Sequence, residues 1–386
     1  MTACLCFPSL NAPLAPQVEL GRGVHAVVRI GTNKQTGEKV AVKCVEKANM
    51  RRRQLAREIQ ILTTVNHPNV ISLKDVFEDD KTVYLVLELI EGGELFDRIV
   101  NDGAFSEQDA AKLVRKITEG LLHLHEHKVC HRDLKPENLL LTTKGSDADV
   151  KIADFGLSKV LGEKTMMKRS CGTWAYWAPE ILRRQPYDYS VDLWSVGVIL
   201  CAPANRPEAQ EPARRAPAPR WPAPLQRHRP LDPLARKWLT CCSAVDRYIM
   251  LSGVHPFDPD GQSTDAQIVE RILRADYTFE PEHWGHVSKE AMDVIRHLIH
   301  MDPMQRYTCK QLLQHPWVAG TDVSDSPMPS DALDSLRDFN RQRRNFVRTR
   351  FPASTVPLVR GPRRVQGCDR NWRKACSAGG AADADR

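Results

Sequence analysis

Four side chains in one short region have the types and spacing for group transfer. In His131-Arg132-Asp133-Leu134-Lys135-Pro136-Glu137-Asn138, Asp133 is a carboxylate able to accept a hydroxyl proton, and Lys135 is a cation able to neutralise a transferring phosphate. Asn138, together with Asp154 in Asp154-Phe155-Gly156, supplies two hard oxygen ligands suited to Mg²⁺. A base, a cation and paired oxygen ligands are the parts that phosphoryl transfer requires.

The surrounding pattern predicts the elements that must hold these groups. From Val18 to Lys43 apolar and polar residues alternate around Gly21, Gly23, Gly31 and Thr36-Gly37, which reads as three antiparallel strands with tight turns. Arg51 to Thr64 carries Leu55, Ile59 and Leu62 at helical spacing, with Glu58 beside them. An apolar strand, Val83 to Ile90, runs into Glu91-Gly92-Gly93, a hinge loop. Ser106 is placed to cap the N–H of Asp109, opening a helix that runs to about His127 with Ala111, Val114, Ile117, Leu121 and Leu124 on one face. His123, His125 and His127 alternate along it, which fans them apart and argues against a metal cluster. The remainder to Trp317 reads as mainly helical, so the expected fold class is α+β: a small β-rich lobe (residues 18–90) and a larger α-helical lobe (residues 91–318), with the cleft between them.

The two chemical stretches resemble, letter for letter, the catalytic loop and the metal-binding loop of protein kinases. The resemblance implies ATP as donor, Mg²⁺ as cofactor on Asn138 and Asp154, Asp133 as base, and Arg132 as the arginine of the loop. Gly21-Arg22-Gly23-Val-His-Ala26-Val-Val28 resembles the phosphate-covering loop, with Ala26 where a third glycine usually stands; residues without Cβ let backbone N–H groups approach phosphate oxygens. Val40-Ala41-Val42-Lys43 is similar to the lysine strand, so Lys43 would hold the α and β phosphates and pair with Glu58. The same resemblance sets adenine against backbone groups of Glu88 and Ile90, with Leu87 as gatekeeper and Leu20, Val28, Ala41 and Leu140 lining the slot. Thr173 would hydrogen-bond near Asp133, Glu180 would pair with Arg306, and Asp192 would brace the catalytic-loop backbone. Glu94 and Glu137 match positions that bind an arginine upstream of the acceptor, and a carboxylate takes a guanidinium bidentately. Lys135 favours Ser/Thr over Tyr as acceptor. Protein substrates with basic residues upstream of Ser or Thr are the implied partners.

Three stretches depart from the family pattern. Arg169 stands where many relatives carry a phosphorylated threonine, which moves regulation to Thr165 or Ser170 or leaves the loop needing no phosphate. Trp174 and Trp177 replace the usual small or proline residues beside the substrate. Finally, the 47 residues from Cys201 to Arg247 interrupt what should be a continuous passage from Ser190–Leu200 into Tyr248–Gly253. Their density of proline cannot extend a helix, at about 3 kcal/mol for each interior site. A retained intron or gene-model error, a tolerated bulge and a functional proline-rich module are the three readings of this insertion. Asp258-Pro-Asp260-Gly261 lacks the third ligand and closing glutamate of a calcium loop.

After the kinase-like region, residues 319–350 interleave Leu333, Leu336, Phe339, Phe346 and Val347 with Arg337, Arg341, Arg343, Arg344 and Arg348. Apolar anchors among arginines suit a helix lying in the groove of calmodulin, a solvated basic helix being the plain alternative. The stretch is similar to the autoinhibitory segment of calmodulin-dependent kinases, which makes calmodulin a further partner through Phe339, Arg343, Arg344, Phe346 and Val347. Residues 351–386 read as a disordered tail, and residues 1–17 as a short leader.

Composition narrows the class. The chain of 386 residues has a formal net charge of +7, yet residues 201–247 hold nine Lys/Arg against four Asp/Glu and residues 337–386 hold thirteen against four. The rest is therefore acidic, which suits a basic peptide better than nucleic acid, and no aromatic platform accompanies the arginines. No apolar run is long enough for a membrane span, and the leader lacks the basic start of a signal peptide. Eleven cysteines without a C-x-x-C framework read as reduced thiols in a cytoplasmic or nuclear protein. The sequence therefore reads as a Ser/Thr protein kinase of the calmodulin-dependent type; the alternative is a catalytically silent, nucleotide-binding scaffold whose central helix is split.

Overall fold

The computed structural model describes residues 19–22, 26–33, 36–50, 52–102, 105–144, 148–155, 158–160, 174–200, 255–258, 263–321, 323 and 363–364. The expectations for Gly23, Thr165, Arg169, Ser170, Thr173, the 201–247 insertion and the calmodulin-binding residues Phe339, Arg343, Arg344, Phe346 and Val347 lie outside these residues, as does the side chain of Arg22.

Alternation builds the first lobe. Strands β1 (Glu19–Arg22), β2 (Ala26–Thr32), β3 (Lys39–Glu46), β4 (Leu73–Glu78) and β5 (Thr82–Glu88) form an antiparallel sheet in the order β1-β2-β3-β5-β4. Along β3, Val40 and Val42 pack with Phe77, Tyr84 and Val86 on one face, with Cys44 against them. The period of two turns Ala41, Lys43 and Val45 to the other face, where Val45 joins the main core. Helix α1 (Arg52–Thr64) buries Leu55, Glu58, Ile61 and Leu62. Glu58 thus faces inward with the apolar stripe.

A two-residue strand, β10 (Arg363–Arg364), pairs antiparallel with the outer edge of β4, Arg363 opposite Glu78 and Arg364 opposite Phe77. The N–H and C=O groups of an edge strand are open to an extended segment that reaches them.

The second lobe is helical. Its frame comprises α2 (Leu95–Asp102), α3 (Glu107–Glu126), α4 (Pro179–Leu182), α5 (Ser190–Leu200), α6 (Asp265–Arg274), α7 (Pro281–Trp284), α8 (Lys289–Leu298), α9 (Cys309–Gln314) and α10 (Pro316–Ala319). Ser106 caps α3 as the sequence predicts, in a reciprocal box with Asp109. Every residue from Val191 to Leu200 is buried, as expected of a helix apolar on all sides. Gly197 is the point of closest approach: a Cβ there would lie 2.7 Å from the Leu298 Cβ and 2.8 Å from Ile299. Buried Glu107 ties the start of α3 to α8 and α10 by accepting from the Ser288 N–H and hydroxyl and from the Trp317 indole at 3.0 Å.

Short strands carry the chemistry-bearing loops. β6 (Val129–Cys130) pairs with β9 (Lys159–Val160), and β7 (Leu139–Leu141) pairs with β8 (Val150–Ile152). Between β5 and α2 the hinge passes so close to β7 that a Cβ on Gly92 would lie 2.3 Å from the Leu141 and Thr143 carbonyl oxygens. Only glycine fits there.

Candidate active site

The β7–β8 register sets Leu139 opposite Ile152, so Asn138, just before β7, and Asp154, just after β8, emerge at the same end of the pair. The Asn138 carbonyl accepts from the Ala153 N–H at 2.9 Å, closing this end. The Asn138 side-chain amide donates to the Asp133 carbonyl at 2.7 Å, which turns its amide oxygen to the opposite side. An amide oxygen and a carboxylate form a hard donor set, and the Asp154 side chain is half exposed, so the two fit a divalent cation.

Lys43 joins the lobes. Its ammonium lies 2.8 Å from Glu58 Oε1 and 2.8 Å from Asp154 Oδ1, although 15 and 111 residues separate the partners in sequence. Burial alone would lower its pKa, but the charges of Asp154 and Glu58 outweigh burial and hold it well above the ordinary lysine value. Lys43 is therefore a fixed cation facing the cleft.

The catalytic-loop backbone is held from below. Buried Asp192, on the first turn of α5, accepts from the His131 N–H at 2.9 Å and the Arg132 N–H at 2.8 Å. Arg132 has φ 69° and Asp154 has φ 61°, left-handed conformations that cost energy for residues with a Cβ. The Arg132 guanidinium donates to the Tyr187 hydroxyl at 2.8 Å, and His131 reaches the Ala153 carbonyl at 3.1 Å while its ring meets Phe155 edge-on. Strain at these residues is thus offset by a dense set of hydrogen bonds. Asp133 is 8% exposed, with the Lys135 ammonium 3.6 Å from its carboxylate. Burial pushes its carboxyl above the ordinary range, and Lys135 and His131 pull it only part of the way back.

The remaining expected residues fall around this centre. Ala41 pairs with Leu87 and Val40 with Glu88 across β3 and β5, while Val28, Leu87, Ile90 and Leu140 are partly buried and Leu20 is 47% exposed. Gly21 and Ala26 flank the turn between β1 and β2. The Glu88 carboxylate is engaged with the Ser72 N–H at 2.7 Å and Lys151 at 2.9 Å, so its side chain serves the fold. Glu94 forms a bridge with Leu140 just ahead of α2, and Glu137 lies in the turn Pro136–Asn138; both are partly buried. Glu180 and Arg306 form a two-bond ion pair at 2.5 and 2.9 Å, with the guanidinium 4.9 Å above the Trp194 ring. Trp177 is buried, continuing the core away from the Trp174–Tyr176 turn.

One reading needs revision. His123 and His127 do not fan apart: four residues make one helical turn, and their rings meet at 4.2 Å with His67 stacked on His123 at 5.1 Å. Among the described residues no group of three or more His, Cys, Asp or Glu could hold a metal ion. His125, the middle one, points the other way, its Nε2 2.9 Å from Asp192. Sequence reasoning missed this role because the partner is 67 residues distant; the signal was a histidine on the same face as Leu121 in the turn before the catalytic loop.

A two-lobed scaffold that clamps a lysine between two carboxylates above a buried aspartate defines a phosphotransferase class. The protein kinase domain family matches residues 14–212 and 240–318, so the chain belongs to the protein kinase family, with the break between the two matched stretches lying inside the 201–247 insertion. Over 311 residues it is 39% identical to myosin light chain kinase A of Dictyostelium discoideum, covering 80% of this chain and 88% of that protein. A probable myosin light chain kinase of the same organism is 40% identical over 332 residues, covering 84% of this chain and 81% of that protein. Human calcium/calmodulin-dependent protein kinase type IV is 40% identical over 331 residues, which cover 84% of this chain and 58% of that protein. The chain is a Ser/Thr protein kinase of the calmodulin-dependent and myosin light chain kinase type. Family membership implies ATP and a divalent metal, and a protein as substrate.

Proposed function

We propose that this kinase transfers the γ-phosphoryl group of ATP to Ser or Thr residues preceded by basic residues, with Mg²⁺ on Asn138 and Asp154, and that calmodulin regulates it through residues 319–350. The observation that carries the reading is Lys43 held at 2.8 Å from both Glu58 and Asp154, which supplies a positioned cation for phosphate oxygens beside the metal-ligand pair. Asp133, held by a braced backbone, takes the proton of the acceptor hydroxyl. Lys135 offsets charge that builds on the transferred group. When bound, the metal draws charge from the phosphate oxygens.

The acidic residues Glu94 and Glu137 support a guanidinium-bearing substrate, since Glu137 lies in the turn that ends the loop carrying Asp133 and Glu94 bridges to Leu140 just after it. Calmodulin regulation is supported by the apolar-and-arginine pattern of the tail and by the likeness to calcium/calmodulin-dependent protein kinase type IV. Cytoplasmic or nuclear residence belongs to the same proposal and is supported by the free thiols Cys44, Cys130 and Cys309. A catalytically silent scaffold is not favoured, because Lys43, Asp133, Asn138 and Asp154 are all present and Asp192 makes both loop-bracing bonds.

The test compares phosphate transfer to an Arg-x-x-Ser peptide by the full chain and by a deletion of 201–247, each with and without Ca²⁺/calmodulin. Transfer that rises with calmodulin in either protein supports the regulatory reading. Transfer indifferent to calmodulin in both removes it. Equal rates for the Arg-x-x-Ser peptide and an Ala-x-x-Ser control would remove the basic preference.

A further inference from the structure

Beneath the catalytic loop, three side chains from three separate elements form one hydrogen-bonded line with both ends buried. Cys309, on the first turn of α9, has its Sγ 3.4 Å from His125 Nδ1 at the end of α3. The other ring nitrogen, Nε2, lies 2.9 Å from Asp192 Oδ2 on α5. The same carboxylate accepts from the His131 and Arg132 N–H groups, the two residues before the base. Cys309 is 3% exposed, and Tyr189 stacks on the His125 ring at 4.8 Å, which fixes the plane of the ring.

A neutral imidazole donates from one nitrogen and accepts at the other. Asp192 is an acceptor, so it selects Nε2–H, provided something donates to Nδ1. We propose that Cys309 is a positioning residue for phosphotransfer: its thiol donates to His125 Nδ1, locks the Nε2–H tautomer, and through Asp192 holds the catalytic-loop backbone at the left-handed Arg132. Burial keeps the thiol protonated, well above its ordinary range, so it stays a donor. Packing alone would ask only for a small apolar side chain at residue 309. A donor role asks for S–H or O–H and distinguishes serine from alanine.

The test uses the full chain and the variants Cys309→Ala and Cys309→Ser. Selective ¹⁵N labelling of histidine, with His125→Gln to assign the signal, reads the His125 tautomer directly and needs no turnover. The expected result is an Nε2–H neutral ring in the parent and in Cys309→Ser, and a mixed or shifted signal in Cys309→Ala. In kinetics, Cys309→Ala lowers kcat by about threefold to tenfold, the worth of one neutral hydrogen bond, with KM for ATP unchanged, and Cys309→Ser restores most of it. A cationic or Nδ1–H ring in the parent overturns the proposal. So does a Cys309→Ser variant as impaired as Cys309→Ala, which would assign the effect to packing. If Cys309→Ala does not fold, the tautomer in the parent and in Cys309→Ser decides.

Discussion

Lys43 and Asp133 divide the work of the cleft between a fixed cation and a base, and each owes its state to burial beside particular neighbours. Lys43 stays charged because two carboxylates meet it at 2.8 Å. Asp133 is raised by burial, so its base form fills only above the ordinary carboxylate range, and the account gives Asp133→Asn one consequence: kcat falls by about 10²- to 10⁴-fold while nucleotide affinity is kept. Titration of the variant with a fluorescent ATP analogue beside a turnover assay separates the two quantities. At this scale the sequence was readable where a motif carried it. Asn138, Asp154 and Asp133 stood in one short region, and family resemblance paired Lys43 with Glu58, but the contact of Lys43 with Asp154 across 111 residues was not legible, since spacing says nothing about a contact across two lobes. His125 was hidden because three alternating histidines look alike until a helix gives each a direction.

Elements hold these residues through buried polar anchors. Burial by itself would raise the Asp192 carboxyl, but the hydrogen bonds it accepts from His125 and from the Arg132 N–H hold it below its ordinary value. A lowered folded pKa means that its stabilisation is present above the unfolded carboxylate value, about 3.9, and is lost as pH falls through the lowered folded value. Urea unfolding between pH 6 and the acid limb should therefore show a smaller acid loss for Asp192→Asn than for the parent, roughly as one titrating group is removed. The Glu180–Arg306 pair fastens the segment after the activation loop to the late helices. Glu180→Ala leaves the guanidinium buried over Trp194 without its carboxylate and should cost about 3–5 kcal/mol, whereas Arg306→Lys, which keeps charge but loses the fork, should cost less. Denaturant midpoints with unchanged slope would check both; equal loss for the two variants would show that the fork, and not the charge alone, carries the pair. Strand alternation, the Ser106 cap and the apolar faces of α1 and α3 were legible because local physics decides them. The α5 approach at Gly197 and the pairing of β10 with β4 were not, because each depends on a segment far along the chain.

At the scale of the whole molecule the sheet lobe and the helical lobe meet through Lys43 and Asp154, so activity requires both carboxylate partners to be in place at once. The central helix α5 is formed and buried through Leu200, and Asp192 at its start is engaged on both oxygens. The support that a split helix threatened is thus present up to the point where the insertion begins. Deleting 201–247 should leave the transfer rate equal or higher and should not remove it; a deletion variant that folds but has lost transfer would identify the insertion as a functional module. The same pair of proteins tests the proposed calmodulin response of residues 319–350.

The most direct measurement is transfer of radiolabelled γ-phosphate from ATP and Mg²⁺ to an Arg-x-x-Ser peptide by the full chain, with Asp133→Asn as control. The account predicts phosphoserine formed by the parent and reduced by at least about a hundredfold in the control. Bound ATP with no phosphoserine above the control, in the full chain and in the 201–247 deletion alike, would contradict it.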